Sequence, residues 1–137
     1  MSMTQQVIKI ILTAYPDAQA IYLVGSWGTP NEWSDSDIDI AVLLPPVRAK
    51  QINFWQWQDL MQQLAKQLNK AVDLINLRLV STVLQKEIVM ADRRIDCADE
   101  YAADEFEALA LSFYQQLNRE RQEIVQDFWL TGRAYNI

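Results

Sequence analysis

A glycine–serine turn followed by a pair of aspartates constrains this chain more than any other feature. Gly25 and Ser26 follow one apolar run, and Asp37 and Asp39 lead into a second apolar run at residues 40–44. A residue and its second neighbour point to the same face of a β-strand, so we expect both carboxylates on one face where a strand begins. Like charges this close repel each other unless a cation lies between them. Oxygen ligands suit Mg²⁺, which keeps several waters and also binds substrate phosphates.

The turn upstream of the aspartates is a candidate phosphate site. Gly25 and Ser26 are small, and backbone N–H groups that remain free at such a turn bind anions. No basic residue occurs between Gly25 and Asp39, so a phosphate there would depend on Mg²⁺ and on backbone N–H groups. The basic residues that we expect to help lie further along the chain and are Arg48, Lys50, Arg93 and Arg94.

Composition narrows the possible chemistry. The chain has 137 residues, a net charge of −6, no histidine and one cysteine, Cys97. Without histidine there is no Ser-His-Asp triad and no histidine-ligated zinc. The negative charge argues against tight nucleic-acid binding through phosphate contacts. The single cysteine, and the lack of an apolar run of about 20 residues, favour a cytoplasmic protein.

The hydrophobic pattern alternates between helices and strands along a single expected domain, residues 1–137. Such alternation favours an α/β or α+β fold, with helices packed on a small mixed sheet. Period-two or continuous apolar runs predict strands at 20–24, 38–44 and 71–77, and a short edge strand at 93–96. Three- and four-residue apolar spacing predicts helices at 4–14 and 52–68, a short helix capped by Ser81, and a long C-terminal helix at about 99–129.

A third carboxylate, Asp73, stands inside the apolar run at 71–77. Burial of a carboxylate is costly unless it is paired or bound to a cation. If its strand lies beside the strand of Asp37 and Asp39, about 4.8 Å away, the three carboxylates can converge. Three carboxylates with no nearby histidine or cysteine are typical of a metal-dependent phosphoryl-transfer centre.

Gly25-Ser26, ten residues, Asp37-Ile38-Asp39 and the later strand residue Asp73 together resemble a known family. They are similar to the minimal nucleotidyltransferases (MNT) of the DNA polymerase β-like superfamily, and the resemblance covers about residues 20–90. It implies the nucleotidyltransferase fold. Small members of the family are antitoxins of type VII-like pairs, in which the partner is a HEPN-domain ribonuclease toxin. They transfer AMP from ATP to a tyrosine of that toxin and so neutralise it.

The resemblance also implies a role for each matching residue. Asp37 and Asp39 would hold Mg²⁺ (or Mn²⁺) on the triphosphate of ATP. Asp73 would complete the metal site and help to activate the acceptor hydroxyl. Gly25 and Ser26 would contact the triphosphate. After Gly-Ser the family often has a basic residue in the loop, whereas this chain has Trp27-Gly28-Thr29-Pro30.

Several alternatives remain open on the sequence. The protein could be a nucleotidyltransferase for small molecules such as aminoglycosides, or a non-catalytic antitoxin that acts by occlusion. Trp27 and Trp33 could stack on adenine or simply pack. Arg93 and Arg94 could bind phosphate or pair with their acidic neighbours, Asp92 and Asp96.

Overall fold

The structure is a computed structural model that describes residues 2–25, 27 and 37–131, with side chains up to residue 126. In chain order its elements are α1 (Met3–Ala14), β1 (Ala20–Val24), β2 (Ile38–Leu43), α2 (Pro46–Lys50), α3 (Phe54–Leu68), β3 (Val72–Asn76), α4 (Thr82–Met90), β4 (Arg94–Cys97) and α5 (Glu100–Thr131). The predicted alternation of helices and strands is confirmed. Among the described residues, no helix combines the length and apolar character needed to cross a bilayer.

The four strands form one mixed sheet in the order β3-β2-β1-β4. β1 pairs antiparallel with β2 and with β4, whereas β2 and β3 run parallel. The β2–β3 connection passes through α2 and α3, because a parallel pair requires a crossover. The mixed sheet and the edge position of β4 agree with the expectation from the sequence.

The two faces of the sheet carry separate hydrophobic cores, which gives three layers. On β2, Ile38, Ile40 and Val42 pack with α1 and α3 on one face, whereas Ala41 and Leu43 pack with α4 and α5 on the other. This division follows the period-two alternation of a strand. Asp39 lies between Ile38 and Ile40, and therefore belongs to the face covered by α4 and α5.

Local capping groups explain where three of the helices begin. Ser2 forms a capping box with Gln5 at the start of α1, and the Ser81 hydroxyl accepts from the Leu84 N–H at the start of α4. Asn53 caps α3, which therefore begins two residues later than the expected helix at 52–68. α2 is not predicted from the sequence, in which Pro45 and Pro46 indicate only the end of the strand at 38–44. Proline is favourable at the first position of a helix, where its missing N–H has no partner to lose.

The long C-terminal helix extends beyond the body of the protein. Its 32 residues span about 48 Å. The apolar positions that predict this helix, and that we expect on its buried face, include Phe106, Leu109, Ala110, Phe113 and Ile124. Phe106 and Ala110 are buried, whereas Leu109, Phe113 and Ile124 are exposed. The prediction of burial was wrong there because helical periodicity gives the face of a helix but not how far the partner surface extends.

Candidate functional site

The first two predicted carboxylates lie where β2 begins. Asp37 directly precedes the strand and is exposed, and Asp39 is the second strand residue and is partly buried. The Ile38 N–H donates to the Ala71 carbonyl at 2.9 Å, which holds the start of β2 against the segment that enters β3. The side chains of Ile38 and Ile40 are anchored in the core beneath, so Asp39 is directed to the opposite face.

The third predicted carboxylate is brought to the same place by the parallel pairing of β2 with β3. In the register of these strands, Asp39 stands directly beside Asp73. Paired residues on parallel neighbours point to the same face, and the strands are about 4.8 Å apart. Asp73 is exposed, so the expectation that this carboxylate is buried inside its strand was wrong. β3 is an edge strand, and its outer side leaves this carboxylate open to solvent.

The electrostatics show that these carboxylates interact. Partial burial raises the pKa of Asp39, and the nearby charges of Asp73 and Asp37 raise it further. A raised carboxyl pKa means that the ionised form is disfavoured, and a bound cation would reverse this. Within the described part of the chain, no group of three or more acidic or thiol side chains lies close enough together to hold a metal ion. An oxygen-only donor set of this kind still fits Mg²⁺, whose shell is completed by water and substrate phosphates.

The predicted phosphate turn lies next to the carboxylates. Val24, the last residue of β1, pairs with Asp39, and Gly25 follows it directly. Gly25 has a φ of +81°, and a Cβ added there would meet nothing within 4 Å. The backbone conformation, and not lack of space, therefore favours glycine. Ser26 lies outside the described residues, as does Trp33.

Arg93 contributes to this region in a way that the sequence did not indicate. Its guanidinium donates to the carbonyl oxygens of Gly25 and Trp27. Arg94 instead donates to Glu107 at 2.6 Å and to Asp104 at 3.2 Å on α5. The expected alternative, pairing with Asp92 and Asp96, is therefore wrong for both arginines. The direction of each side chain depends on an irregularity in the β1–β4 register between Ile21 and Tyr22, which has no clear sequence signal.

Arg48 and Lys50 are far from the carboxylates, contrary to expectation. They lie on α2, which follows the end of β2, whereas Asp37 and Asp39 lie at its start. Arg48 contacts Asp17 at 3.4 Å and lies over the Tyr15 ring. These residues therefore cannot assist a phosphate bound at the carboxylates of the same subunit.

The remaining local features have structural roles. Trp27 is partly buried against the core formed with α1 and α3, which favours packing over stacking on a base. A cleft of about 250 Å³ is lined by Arg78, Leu79, Phe106 and Phe113, among others, beyond the opposite end of β3. The carboxylates and not this cleft mark the candidate site, because the cleft lacks acidic groups among its lining residues.

Comparison with known proteins agrees with this geometry. A sequence profile of the family described as "Polymerase beta, Nucleotidyltransferase" matches residues 6–101. The protein adenylyltransferase MntA of Shewanella oneidensis is 36% identical over 122 residues, which cover 89% of this chain and 84% of that protein.

Solved structures extend the similarity to the whole fold. A crystal structure of a toxin–antitoxin with AMP-PNP matches with a TM-score of 0.76 and 33% identity, covering 92% of this chain and 98% of that one. A structure of the tri-AMPylated Shewanella oneidensis HEPN toxin in complex with MNT antitoxin matches with a TM-score of 0.72 and 33% identity, covering 93% and 96%. The chain therefore belongs to the polymerase β nucleotidyltransferase family, as a minimal nucleotidyltransferase similar to MntA.

Proposed function

We propose that this chain is the antitoxin of a HEPN/MNT pair, and that it transfers AMP from ATP to a tyrosine of its partner HEPN ribonuclease toxin. The observation that carries the proposal is the parallel pairing of Asp39 with Asp73 beside the Gly25 turn. The similarity to a protein adenylyltransferase supports the choice of AMP as the transferred group. Because ATP is the donor, we place this activity in the cytoplasm.

The family resemblance suggests a role for each carboxylate, and the position of Asp39 beside Asp73 supports it. Asp37 and Asp39 would hold Mg²⁺, with Asp73 completing the ligand set. When bound, Mg²⁺ would neutralise charge on the triphosphate oxygens. Gly25 and Ser26 would contact the triphosphate through the turn and so orient the α-phosphorus for in-line attack.

In the transfer step, the tyrosine oxygen of the toxin forms a bond to the α-phosphorus, and the bond from that phosphorus to pyrophosphate breaks. The Asp73 carboxylate would accept the proton of the attacking hydroxyl, which is general-base catalysis. Asp73 is exposed on an edge strand, so a side chain carried on a protein surface can approach it. This accessibility favours a protein acceptor over a small molecule enclosed in a pocket.

Intact-mass spectrometry of the partner toxin tests the proposal. The toxin is incubated with this protein, ATP and Mg²⁺, and compared with a reaction that contains the double variant Asp37→Asn/Asp39→Asn. We expect mass gains of one or more AMP units with the wild-type protein and none with the variant. An unchanged toxin mass together with a stable complex would contradict the proposal and indicate neutralisation by occlusion.

A further inference from the structure

Arg93 connects the edge strand of the sheet to the turn that follows β1. Its side chain donates to two carbonyl oxygens, those of Gly25 and Trp27, which lie two residues apart. A guanidinium is suited to this because its donors form a rigid planar fork, whereas a lysine ammonium is a single point of charge. One side chain therefore bridges the turn from one side to the other.

The backbone of Arg93 is itself fixed, so its side chain starts from a defined place. Its carbonyl accepts from the Leu23 N–H at 3.0 Å. The preceding residue, Asp92, has a φ of 55°, and its N–H donates to the Val89 carbonyl at 3.2 Å. This left-handed residue ends the turn after α4 and sets the direction in which the chain enters β4. The arginine is thus held against the end of β1 through both its main chain and its side chain.

We propose that Arg93 is the positioning residue that fixes the Gly25 turn for binding of the ATP triphosphate, an inference that rests on the proposed function. Two carbonyl oxygens held by one guanidinium fix the main chain of Gly25 and Trp27. A phosphate that binds beside them therefore meets a main chain that is already ordered, and the ordering cost at the moment of binding is smaller. Arg93 also brings a positive charge to a segment that has no basic residue of its own between Gly25 and Asp39.

Arg93 acts on the turn and not on the carboxylates. The charges that shift the pKa of Asp39 are those of Asp73 and Asp37, and Arg93 is not among them. Loss of Arg93 should therefore weaken ATP binding more than it slows the chemical step. The adjacent Arg94 provides a matched control, because it is one residue away and its ion pairs are with Asp104 and Glu107 of α5.

The test compares Arg93→Ala, Arg93→Lys and Arg94→Gln with the wild-type protein. We expect Arg93→Ala to raise the KM for ATP and the Kd of Mg·ATP by about tenfold, with a smaller change in kcat. Arg93→Lys should recover only part of the lost affinity for ATP. Guanidinium added at millimolar concentration should restore ATP binding in Arg93→Ala. Arg94→Gln should lower the unfolding temperature while leaving the Kd of Mg·ATP unchanged.

Amide hydrogen exchange without nucleotide tests the positioning directly. Peptides that cover Leu23 to Trp27 should exchange faster in Arg93→Ala than in the wild-type protein, and at the wild-type rate in Arg94→Gln. Wild-type ATP affinity and wild-type exchange in Arg93→Ala would overturn the proposal. If the wild-type protein binds no ATP at all, the proposed function is wrong, and faster exchange in Arg93→Ala would still support its hold on the turn.

Discussion

The two ends of the sheet both carry charged side chains, but among the described residues the contacts of these charges differ between the ends. We call the end where β1 begins and where β2 and β3 finish the arginine end. There, Arg78 donates to the Leu44 carbonyl and to Gln19 Oε1. At the end where β1 finishes and β2 and β3 begin, the carboxylate end, Asp39 stands beside Asp73. The first arrangement pairs a charge with acceptors, and the second places like charges together.

This difference separates structural from functional charges. Arg78 lies over the Phe106 ring, and burial lowers the pKa of its guanidinium, yet its hydrogen bonds compensate for the lost water. Burial raises the pKa of Asp39, and the charges of Asp73 and Asp37 raise it further. None of these three influences stabilises the ionised carboxylate. Perturbed groups without internal compensation cluster at functional sites. This contrast supports the proposal that the carboxylate end binds a ligand, whereas the arginine end contributes to stability.

The substitution Asp73→Asn is expected to have the largest effect. Loss of a ligand and proton acceptor should slow AMP transfer to the toxin on the order of 100-fold or more. Stability should not fall, because Asp73 is exposed. The measurement is the rate of AMP gain by intact mass, together with thermal unfolding. The matched control is Asp17→Asn at the arginine end, which should transfer AMP at the wild-type rate. If both variants slowed AMP transfer to a similar degree, the two ends of the sheet would not differ in function.

Arg78→Met should lower stability and leave ATP binding unchanged, whereas Asp73→Asn should slow AMP transfer and leave stability unchanged. It leaves the Leu44 carbonyl and Gln19 without their charged donor, and such bonds contribute about 2 kcal/mol. We expect the free energy of unfolding to fall by about that amount, measured by urea denaturation. The Kd of Mg·ATP in the folded protein should stay the same. A large loss of ATP affinity at unchanged stability would show that the arginine end contributes to the site.

The strand pattern made the carboxylate end predictable. Period-two alternation places Asp37 and Asp39 on one face, and apolar runs identify the neighbouring strands. Asp73 was found by its position inside an apolar run, although the structure shows it exposed. Its position beside Asp39 is confirmed, although its expected burial is wrong, because a polar residue on an exposed edge strand interrupts an apolar run just as a buried one does.

The contacts of the arginines could not be predicted in the same way. Arg93 and Arg94 are adjacent in sequence, yet one binds the turn after β1 and the other binds α5. Which of them faces α5 is decided by an irregular pairing of two strands that are about 70 residues apart in sequence. Long-range register of this kind has no local sequence signal, so Arg48 was wrongly grouped with Arg93 on charge alone.

Asp39→Asn should stabilise the metal-free protein slightly. A raised carboxyl pKa means that the folded state binds a proton more tightly than the unfolded chain, so stability falls as the pH rises through the raised pKa. The substitution removes the ionisable group, and with it this loss of stability and the repulsion from the neighbouring carboxylates. We expect a gain of about 0.5 kcal/mol at neutral pH, and none at a pH where the wild-type carboxyl is protonated.

Added Mg²⁺ provides the control for this prediction. It should raise the unfolding temperature of the wild-type protein more than that of Asp39→Asn, because a ligand stabilises only the state that binds it. Equal responses to Mg²⁺, or a marked loss of stability in Asp39→Asn without metal, would mean that Asp39 has a structural role like that of Arg78.

Arg48→Gln should have the smallest effect, and it tests directly at which end of the sheet the triphosphate binds. Its ion pair with Asp17 is partly exposed at 3.4 Å, and such pairs contribute less than about 1 kcal/mol. Arg48 also lies over Tyr15, so a small loss of stability is expected from that contact as well. The Kd of Mg·ATP should be the same as in the wild-type protein, because the carboxylates lie at the other end of β2. A weaker Kd in Arg48→Gln, with Arg93→Ala unchanged, would move the triphosphate to the arginine end and reverse the roles assigned to the two ends.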